Sequence, residues 1–448
     1  MFKIEDILNG SRGRLVSGPI CGQVKSISTD SRTINPGDAF IAIKGDKFDG
    51  HDFIPQVIKS GARLIISHKD ISVKDRLVTV IRVSDTTKAL GCIAGYWRSK
   101  FDIPVIAVTG SNGKTTTKDM IAWVLESGFK VLKNPGTHNN HIGLPRTLLS
   151  LDNTYDIAVL EIGTNHFGEV GYLADICKPD IGVITNIGPS HLEFLKNLSG
   201  VFQEKYSLIK KLSGRRIAIL NADDVFLARK LKAGTQKGFS LGAGIKAPCD
   251  FKVTSACVIN GKTEFEVNKK YKFTLNTPGS YNMYNGLMAI AAGRIFGLGY
   301  KDISARLKTF QFPKSRLNLI KVRGITFIDD TYNSNPISLA AALETLRGFD
   351  SCGRKILVMG DMLELGAGSR EFHVRALKQA LRFCDCLVTV GRLSKEACSG
   401  LKSGKKIFSC ATSSQARDLL FKEMDFSIKD VVLVKGSRAM ALEEIFKV

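Results

Sequence analysis

Residues 105–117 constrain the fold of this chain more strongly than any other stretch. They read V-I-A-V-T-G-S-N-G-K-T-T-T: an apolar run that ends at Gly110, a short loop up to Gly113, and then Lys114 and Thr115. Apolar residues at helical spacing follow. Because the N–H groups of a glycine loop and of a helix N-terminus bind phosphate oxygens, the segment predicts a strand, a phosphate-binding loop and a helix.

The loop departs from the standard phosphate-loop pattern at one position. The pattern G-x-x-x-x-G-K-[ST] requires glycine where this chain has Val108. An ordinary glycine turn is the alternative interpretation, and the flanking strand and helix patterns argue against it. We therefore predict that Lys114 contacts the terminal phosphates of ATP and that the Thr115 hydroxyl binds Mg²⁺.

Length and composition limit the class of protein. A chain of 448 residues suggests about three domains. The N-terminus has no apolar signal-peptide core, and no apolar run approaches the ~20 residues that span a bilayer. The ten cysteines are scattered without a C-x-x-C pair, which favours reduced thiols in the cytoplasm.

The net charge of +22 allows three interpretations: nucleic-acid binding, attraction of anionic substrates or membrane surfaces, or a generally basic host proteome. The basic residues are spread singly between apolar positions, without a long run or a basic–aromatic stripe. We therefore expect no nucleic-acid partner and a basic surface that favours polyanionic substrates.

Alternating strand and helix patterns divide the chain into three α/β units, at residues 1–84, 85–315 and 316–448. The first has a helical pattern at 53–60 and a strand pattern at 63–67. The second has strands at 105–109, 157–162, 181–185 and 217–220, which predict a parallel sheet, and Asn260-Gly261 predicts a hairpin at a small antiparallel edge.

The third unit repeats the alternation. It has strand patterns at 325–328, 355–359, 386–390 and 431–434 and helical patterns at 339–346, 371–381 and 416–424. This predicts a doubly wound, Rossmann-like domain. No G-x-G-x-x-G follows its first strand, so the sequence gives no reason to predict a dinucleotide cofactor.

Three residues in the second unit admit both a functional and a structural interpretation. Glu161 ends a strand and is either a Mg²⁺ ligand or the partner of a nearby lysine. His191 follows another strand and is either a structural histidine or a group that holds metal or water. Lys205, taken alone, reads as a solvated helix lysine.

Two strand ends in the third unit are also rich in polar residues. The segment Asp329-Asp330-Thr331-Tyr332-Asn333-Ser334-Asn335-Pro336 suits ribose hydroxyls or an amide substrate, or is an Asx-rich turn. The segment 434–438, V-K-G-S-R, lies between a strand and a predicted helix and is a candidate anion site.

The order of these blocks is more specific than any one of them. In sequence they are TGSNGKTT at 109–116, NPGTHNNHIGLP at 134–145, EIG at 161–163, TNI at 185–187, HLE at 191–193, PGSYNMYN at 278–285, DDTYNSNP at 329–336, GDMLELG at 360–366 and KGSR at 435–438. Over essentially the whole chain, this resembles the Mur ligases of peptidoglycan synthesis. The phosphate loop is also shared with folylpolyglutamate synthases.

The resemblance implies three domains: an N-terminal one for the UDP-sugar, a central one for ATP, and a C-terminal one that closes on ATP and the incoming dipeptide. It implies phosphorylation of a peptide carboxylate by ATP and attack of an amine on the acyl phosphate. The blocks DDTYNSNP, MLELG and KGSR are more specific, and imply addition of D-alanyl-D-alanine to a UDP-N-acetylmuramoyl-tripeptide. We expect a cytoplasmic monomer without a transmembrane segment.

The resemblance also assigns roles to individual residues. In the catalytic centre, Lys114 holds phosphates, Glu161 and His191 bind Mg²⁺ with Thr115, and Lys205 carries a carbamate from CO₂ that holds a second Mg²⁺. The residues implied to bind the nucleotide are Gly110, Ser111, Asn112, Gly113, Lys114, Thr115, Thr116, Asn282 beside adenine, Arg316 at the hinge and Asp330 facing the ribose. The residues implied to bind the other substrates are Ser31, Arg32, Gly45 and His51 for UDP, Asn139, Asn140 and Thr164 for the muramyl peptide, and Asn333 and Asn335 for ATP or the dipeptide.

One departure and several alternatives remain. The family usually has His-Asn where this chain has Tyr281-Asn282.

Other activities compatible with the family are addition of one amino acid to UDP-muramyl-dipeptide and addition of glutamate to folate, and the segment 332–336 argues against both. A nucleic-acid-dependent P-loop ATPase and an inactive scaffold are further alternatives; intact Lys114, Thr115 and Glu161 argue against the scaffold.

Overall fold

The computed structural model describes residues 1–234, 238–259, 261–349, 352–401 and 403–448. Along these ranges the chain forms three successive α/β units, each built around its own main sheet. None of the helices in these ranges has the length and apolar character needed to cross a bilayer.

The N-terminal unit is a five-stranded mixed sheet in the order β2-β7-β6-β5-β4, beside a two-stranded pair of β1 and β3. Its elements are β1 (Phe2–Lys3), α1 (Ile4–Ser11), β2 (Arg14–Ser17), β3 (Gln23–Val24), β4 (Ile27–Ser28), β5 (Ala39–Ile41), α2 (Ile54–Lys59), β6 (Leu64–Ser67) and β7 (Thr79–Arg82). The helix predicted at 53–60 and the strand predicted at 63–67 are confirmed to within one residue at each end.

Helix α3 (Thr86–Arg98) connects this unit to the next one. The Asp85 carboxylate caps it by accepting hydrogen bonds from the N–H groups of Thr87 and Lys88, at 2.8 and 3.0 Å. Its apolar side chains, including Leu90 and Ile93, are buried in one core with side chains of both units. The two units are therefore joined by packing as well as by the chain.

The central unit is a nine-stranded sheet in the order β16-β15-β14-β13-β12-β11-β8-β10-β9. Its elements are β8 (Val105–Thr109), α4 (Lys114–Leu125), β9 (Val131–Lys133), α5 (Gly143–Leu148), β10 (Ile157–Glu161), α6 (Glu169–Cys177), β11 (Ile181–Ile184), α7 (Leu192–Leu195), α8 (Leu198–Lys210), β12 (Ile217–Asn221), α9 (Val225–Ala233), β13 (Phe239–Gly244), β14 (Phe251–Ile259), β15 (Lys262–Val267), β16 (Tyr271–Leu275), α10 (Asn282–Ile295) and α11 (Tyr300–Thr309).

The pairing of the central sheet confirms the predicted parallel sheet with an antiparallel edge. Strands β8 to β13 pair in parallel, whereas β14, β15 and β16 pair antiparallel. Of the hairpin predicted at Asn260-Gly261, Asn260 lies outside the described residues. Strand β8 lies between β10 and β11 with every residue buried, which explains its unbroken apolar run.

The C-terminal unit is a six-stranded sheet in the order β17-β18-β22-β19-β20-β21, parallel except for β17. Its elements are β17 (Asn318–Val322), β18 (Ile325–Asp329), α12 (Pro336–Arg347), β19 (Lys355–Gly360), α13 (Ser369–Phe383), β20 (Cys386–Val390), α14 (Arg392–Cys398), β21 (Lys406–Cys410), α15 (Ser413–Asp418) and β22 (Val431–Lys435). Separate apolar cores cover its two faces, and this confirms the doubly wound prediction.

One helix prediction in this unit is confirmed with a change of helix type, and another is wrong. The helical pattern predicted at 416–424 corresponds to α15, which ends at Asp418, and to the π-helical turn Leu419–Glu423 that continues it. The helix predicted after Arg438 is replaced by two short 3₁₀ turns, Arg438–Met440 and Leu442–Phe446, which Ala441 separates with φ +47°. A left-handed residue at this position interrupts the backbone hydrogen bonding that an α-helix needs.

Candidate active site

A cleft of about 330 Å³ lies between the central and C-terminal units, at the carboxyl ends of their parallel strands. Fifteen of the residues predicted to form the site line it: Ser111, Asn112, Gly113, Lys114, Thr115, Thr116, Asn139, Glu161, Thr164, His191, Asn282, Arg316, Asp330, Asn333 and Asn335. The structure therefore brings together groups that are up to 224 positions apart in the sequence, from 111 to 335.

The phosphate loop connects β8 to α4, and two of its glycines are required by geometry. Gly110 has φ +147°, and a Cβ there would lie 1.9 Å from Thr185 Oγ1. Gly113 has φ +80°, and a Cβ there would lie 2.6 Å from Asn285 Oδ1. Val108, where the standard pattern has glycine, is a buried residue inside β8, so the loop begins only after it.

Lys114 occupies the first position of α4 and is folded back over the loop. Its Nζ donates a hydrogen bond to the Gly110 carbonyl oxygen at 2.9 Å. Burial lowers the pKa of Lys114, an effect that the Glu161 carboxylate opposes and the Arg316 charge reinforces. The ammonium is therefore held at the mouth of the loop with few compensating charges, which suits it to bind phosphate.

Glu161 is the last residue of β10, and its buried side chain and backbone are held by hydrogen bonds from two asparagines. Its Oε1 accepts a hydrogen bond from Asn139 Nδ2 at 2.7 Å, whereas its buried Oε2 has no partner. The Asn134 side chain fixes its backbone, with 2.8 Å from the Glu161 N–H to Asn134 Oδ1 and 3.1 Å from Asn134 Nδ2 to the Glu161 carbonyl. An unpartnered buried carboxylate oxygen is costly unless a cation binds it, so this residue fits Mg²⁺.

The protein supplies only part of a metal coordination shell. Among the residues that the structure describes, no three or more His, Cys, Asp and Glu side chains form a possible metal site. The predicted ligand set contains just two of these types, Glu161 and His191. This fits Mg²⁺, which is usually held by one or two carboxylates together with water and substrate phosphates.

Lys205 lies on α8, is 1% exposed and does not line the cleft itself. Burial and the nearby charge of Lys114 lower its pKa well below the usual lysine value, although Glu204 opposes them. No carboxylate oxygen in the described chain lies within 4.0 Å of its Nζ. Burial therefore disfavours the charged form of this amine, and the neutral form is the one that can add CO₂.

His191 stands at the start of α7 with φ +53°. Its Nδ1 is 2.6 Å from Oε2 of Glu364, which belongs to the C-terminal unit. This contact crosses the cleft that His191 lines.

The linker between the central and C-terminal units also reaches the phosphate loop. Arg316 Nη2 donates a hydrogen bond to Thr115 Oγ1 at 3.1 Å, and its guanidinium lies 4.0 Å from the centre of the Tyr332 ring. Across the cleft, Asn335 Nδ2 donates to Asn112 Oδ1 at 2.6 Å. The C-terminal unit thus touches both the loop and the first turn of α4.

Asp330 and the KGSR segment form one buried ion pair. Lys435 Nζ lies 2.6 Å from Asp330 Oδ2 and donates to the Asn333 carbonyl oxygen at 2.8 Å. Burial raises the pKa of Asp330 even though Lys435 opposes the shift. Arg438 pairs with Glu443 at 2.6 Å, so both cations of the predicted anion site already have protein partners.

The residues predicted to face UDP lie in the N-terminal unit, away from this cleft. Arg32 is exposed, and its hydrogen bond lowers the pKa of Asp30 to about 2, with a smaller contribution from Arg146 of α5. His51 is buried, with Nδ1 2.6 Å from Asp49 Oδ1 and Nε2 accepting from the N–H of His68 at 3.3 Å. Ser31 and Gly45 belong to the same unit, whereas Asn140 Oδ1 accepts from the Gly143 N–H at the start of α5.

Several supporting residues belong to the sequence blocks described above, but no supporting contact was predicted for them. Asn134 frames Glu161, and Glu364 contacts His191, although each belongs to a block noted above. Asn285 Oδ1 accepts from Thr117 Oγ1 at 3.0 Å and so connects α10 to α4. Tyr281, where the family usually has histidine, accepts a hydrogen bond from Asn186 Nδ2 at 2.6 Å. Their contacts are tertiary, so the local pattern of each block did not show its partner.

Comparison with known sequence families agrees with this geometry over most of the chain. The Mur ligase family catalytic domain matches residues 23–98, the Mur ligase middle domain matches residues 108–293, and the Mur ligase glutamate ligase domain matches residues 315–438.

Curated relatives and solved structures extend the likeness to the full length. The UDP-N-acetylmuramoyl-tripeptide–D-alanyl-D-alanine ligase of Bacillus subtilis is 34% identical over 429 residues, covering 95% of this chain and 93% of that protein. The enzyme of the same name from Escherichia coli is 32% identical over 453 residues, covering 100% and 97%. MurF from Acinetobacter baumannii has a TM-score of 0.90 at 30% identity, covering 100% and 98%, and MurF from Thermotoga maritima in complex with ADP has a TM-score of 0.84 at 29% identity, covering 95% and 96%.

This chain belongs to the Mur ligase family. It is an ATP-dependent ligase that forms amide bonds. The resemblance drawn from the order of the sequence blocks is thereby confirmed, as is the three-part α/β architecture.

Proposed function

We propose that this ligase uses ATP and Mg²⁺ to join D-alanyl-D-alanine to UDP-N-acetylmuramoyl-tripeptide in peptidoglycan precursor synthesis. The observation that carries the proposal is the cleft, in which the phosphate loop faces Asn333 and Asn335 of the C-terminal unit. Relatives with this activity in their name support it at 34% and 32% identity over nearly their full length.

The proposed reaction has two steps, formation of an acyl phosphate and attack of the dipeptide amine on it. A carboxylate oxygen of the tripeptide attacks the γ-phosphorus of ATP, the bond to the β-phosphate oxygen breaks, and ADP leaves. The amine of the dipeptide then attacks the acyl carbon and loses a proton, and inorganic phosphate leaves with the C–O bonding pair. Both steps concentrate negative charge, so their rate depends on positioning and on electrostatic stabilisation.

The residues of the cleft match these needs. Lys114 holds the terminal phosphates, and Glu161 Oε2, His191 and Thr115 Oγ1 hold the metal. A Mg²⁺ ion held by these residues would neutralise phosphate charge. Gly110, Ser111, Asn112, Gly113 and Thr116 enclose the phosphates, Asn282 and Asp330 hold the adenosine, and Arg316 orients the nucleotide from the linker.

Lys205 acts in this proposal as a carbamate. An unmodified ammonium beside Lys114 repels both that residue and Mg²⁺, whereas a carbamate places an anion there. The lowered pKa of the amine supports the modification, since the neutral form reacts with CO₂.

The other substrate assignments follow the same proposal. UDP is bound in the N-terminal unit by Ser31, Arg32, Gly45 and His51. The muramyl peptide lies near Asn139, Asn140 and Thr164. We assign these roles to units at 1–84, 85–315 and 316–448, in a cytoplasmic monomer.

Phosphate release by the purified protein tests the proposal. We expect release only when ATP, UDP-N-acetylmuramoyl-tripeptide and D-alanyl-D-alanine are all present. Equal turnover with free L-lysine or diaminopimelate in place of the dipeptide would contradict the proposed substrates. Release that depends on added nucleic acid and ignores both peptides would favour the P-loop ATPase instead.

A further inference from the structure

The contact between His191 and Glu364 is the feature that the proposed reaction leaves unexplained. Nδ1 of the histidine, on the central unit, lies 2.6 Å from Oε2 of the glutamate, on the C-terminal unit. Beside it, the Glu193 N–H points to the Glu364 carbonyl oxygen at 3.4 Å. A Cβ on Gly366 would lie 3.4 Å from the Glu193 nitrogen, so the two backbones are in close contact.

The loop that carries Glu364 is held firmly by its own unit. Asp361 accepts hydrogen bonds from the N–H groups of Leu393 and Ser394, at 3.1 and 2.7 Å. The Met362 N–H donates to His373 Nε2 at 2.9 Å. The next N–H, of Leu363, donates to Ser437 Oγ at 2.9 Å, and the Met362 side chain is fully buried. The backbone that carries Glu364 is therefore fixed, and its half-exposed carboxylate reaches His191 from that fixed backbone.

Both residues of the contact have left-handed backbones. His191 has φ +53° and Glu364 has φ +62°. Such a conformation is unfavourable for a non-glycine residue and persists only where surrounding contacts maintain it. The backbone is therefore held in an unfavourable conformation at both ends of this contact.

The contact with Glu364 determines which ring nitrogen of His191 is free to bind a metal. A carboxylate at Nδ1 selects the tautomer that carries its proton there, so Nε2 keeps a free lone pair. In the described chain, no hydrogen bond engages His191 Nε2, and the residue lines the cleft. The second nitrogen is thus left as a donor toward the metal.

We propose that Glu364 is a positioning residue: the C-terminal unit supplies this carboxylate to orient His191 as a metal ligand, so that domain closure and Mg²⁺ binding favour each other. This rests on the proposed metal role of His191. Because linkage is reciprocal, closure strengthens metal binding by the same factor by which the metal favours closure.

Binding of Mn²⁺ to the full-length protein in the presence of ADP tests this without any measurement of activity. Free Mn²⁺ is followed by electron paramagnetic resonance for the parent, Glu364→Gln, His191→Ala and Glu193→Gln. Glu193 is an exposed carboxylate on the adjacent turn, so its substitution is a matched control. We expect Glu364→Gln to weaken Mn²⁺ binding about 10- to 100-fold and Glu193→Gln to leave it within twofold.

Small-angle scattering of the same samples measures closure. We expect Mn²⁺ with ADP to reduce the radius of gyration of the parent and of Glu193→Gln, and to reduce it less in Glu364→Gln. Parent-like Mn²⁺ affinity in Glu364→Gln, with weakened binding in His191→Ala, would overturn the role of Glu364 alone. Parent-like affinity in both variants would overturn the metal role of His191 as well, while phosphate release still judges the ligase reaction.

Discussion

Arg316 in the interdomain linker donates a hydrogen bond from Nη2 to Thr115 Oγ1, the hydroxyl at the start of the helix that follows the phosphate loop. The residues on either side of it, Ser315 and Leu317, have φ values of +60° and +55°. The linker is therefore sharply turned, and the Arg316 guanidinium lies at the end of the cleft that the phosphate loop forms. Any movement of the C-terminal unit changes the position of this charge relative to the phosphate loop.

Arg316→Ala should raise the KM for ATP more than the KM for either peptide. The variant loses a cation beside the phosphates and the contact with the Tyr332 ring. We expect about a tenfold increase, the equivalent of one charge-assisted hydrogen bond. Steady-state kinetics with each substrate varied will measure it. Arg375→Ala, at an exposed helix position, is the control and should leave all three KM values unchanged.

Gly110→Ala should damage the phosphate loop more than a glycine replacement that introduces backbone strain alone. At Gly110 the new Cβ collides with Thr185 Oγ1 at 1.9 Å, whereas at Gly168, with φ +90°, nothing lies within 4 Å. We expect Gly168→Ala to cost about 1 kcal/mol of unfolding free energy and Gly110→Ala to cost more and to lose ATP binding. Denaturant unfolding and nucleotide titration will check this. An equal loss of unfolding free energy in both variants would show that the contact between a Cβ at position 110 and Thr185 is relieved at no cost in stability.

Asn134→Ala should weaken the Mg²⁺ response through Glu161. The substitution leaves the buried Glu161 N–H and carbonyl without side-chain partners and frees the loop that also holds Asn139. We expect a loss of about 2 kcal/mol in unfolding free energy and a higher Mg²⁺ concentration for half-maximal activity. Asn153→Ala, in an exposed turn, is the control and should change neither. An unchanged Mg²⁺ requirement in folded Asn134→Ala would contradict a positioning role.

Lys205→Ala should lose most activity and regain part of it when short carboxylic acids are added. The acid supplies the anion that the carbamate provides in the proposed site. Exclusion of CO₂ should lower the activity of the parent, and bicarbonate should restore it. Lys210→Ala, exposed on the same helix, should behave as the parent in both experiments. Full activity of Lys205→Ala would remove the metal role of this residue.

Much of the fold follows from short-range pattern. The strands β8 and β20 begin and end where their apolar runs do, at Val105–Thr109 and Cys386–Val390, because a parallel strand buried on both faces needs continuous apolar residues. The phosphate loop is equally local, since its glycines, Lys114 and Thr115 are adjacent. The pattern at 416–424 predicted a helix, but it could not show that α-helical pairing ends at Asp418 and that a π-helical turn, Leu419–Glu423, continues the helix.

In the candidate site, the features that the sequence predicts are clearly separate from those that depend on tertiary structure. Adjacent residues alone identified the phosphate loop, and the order of the blocks identified the family, because these depend on chemistry that neighbouring positions carry. The hydrogen-bond partners of these residues depend on the tertiary fold. The Glu161 N–H donates to the Asn134 side chain, and His191 contacts the carboxylate of Glu364, 173 positions away. Burial also changes the interpretation of Lys205. The sequence alone predicts a solvated lysine, whereas in the structure the residue is 1% exposed and close to the charge of Lys114. Pairing across units and removal from water depend on the packing of distant segments, so they become visible only in the folded molecule.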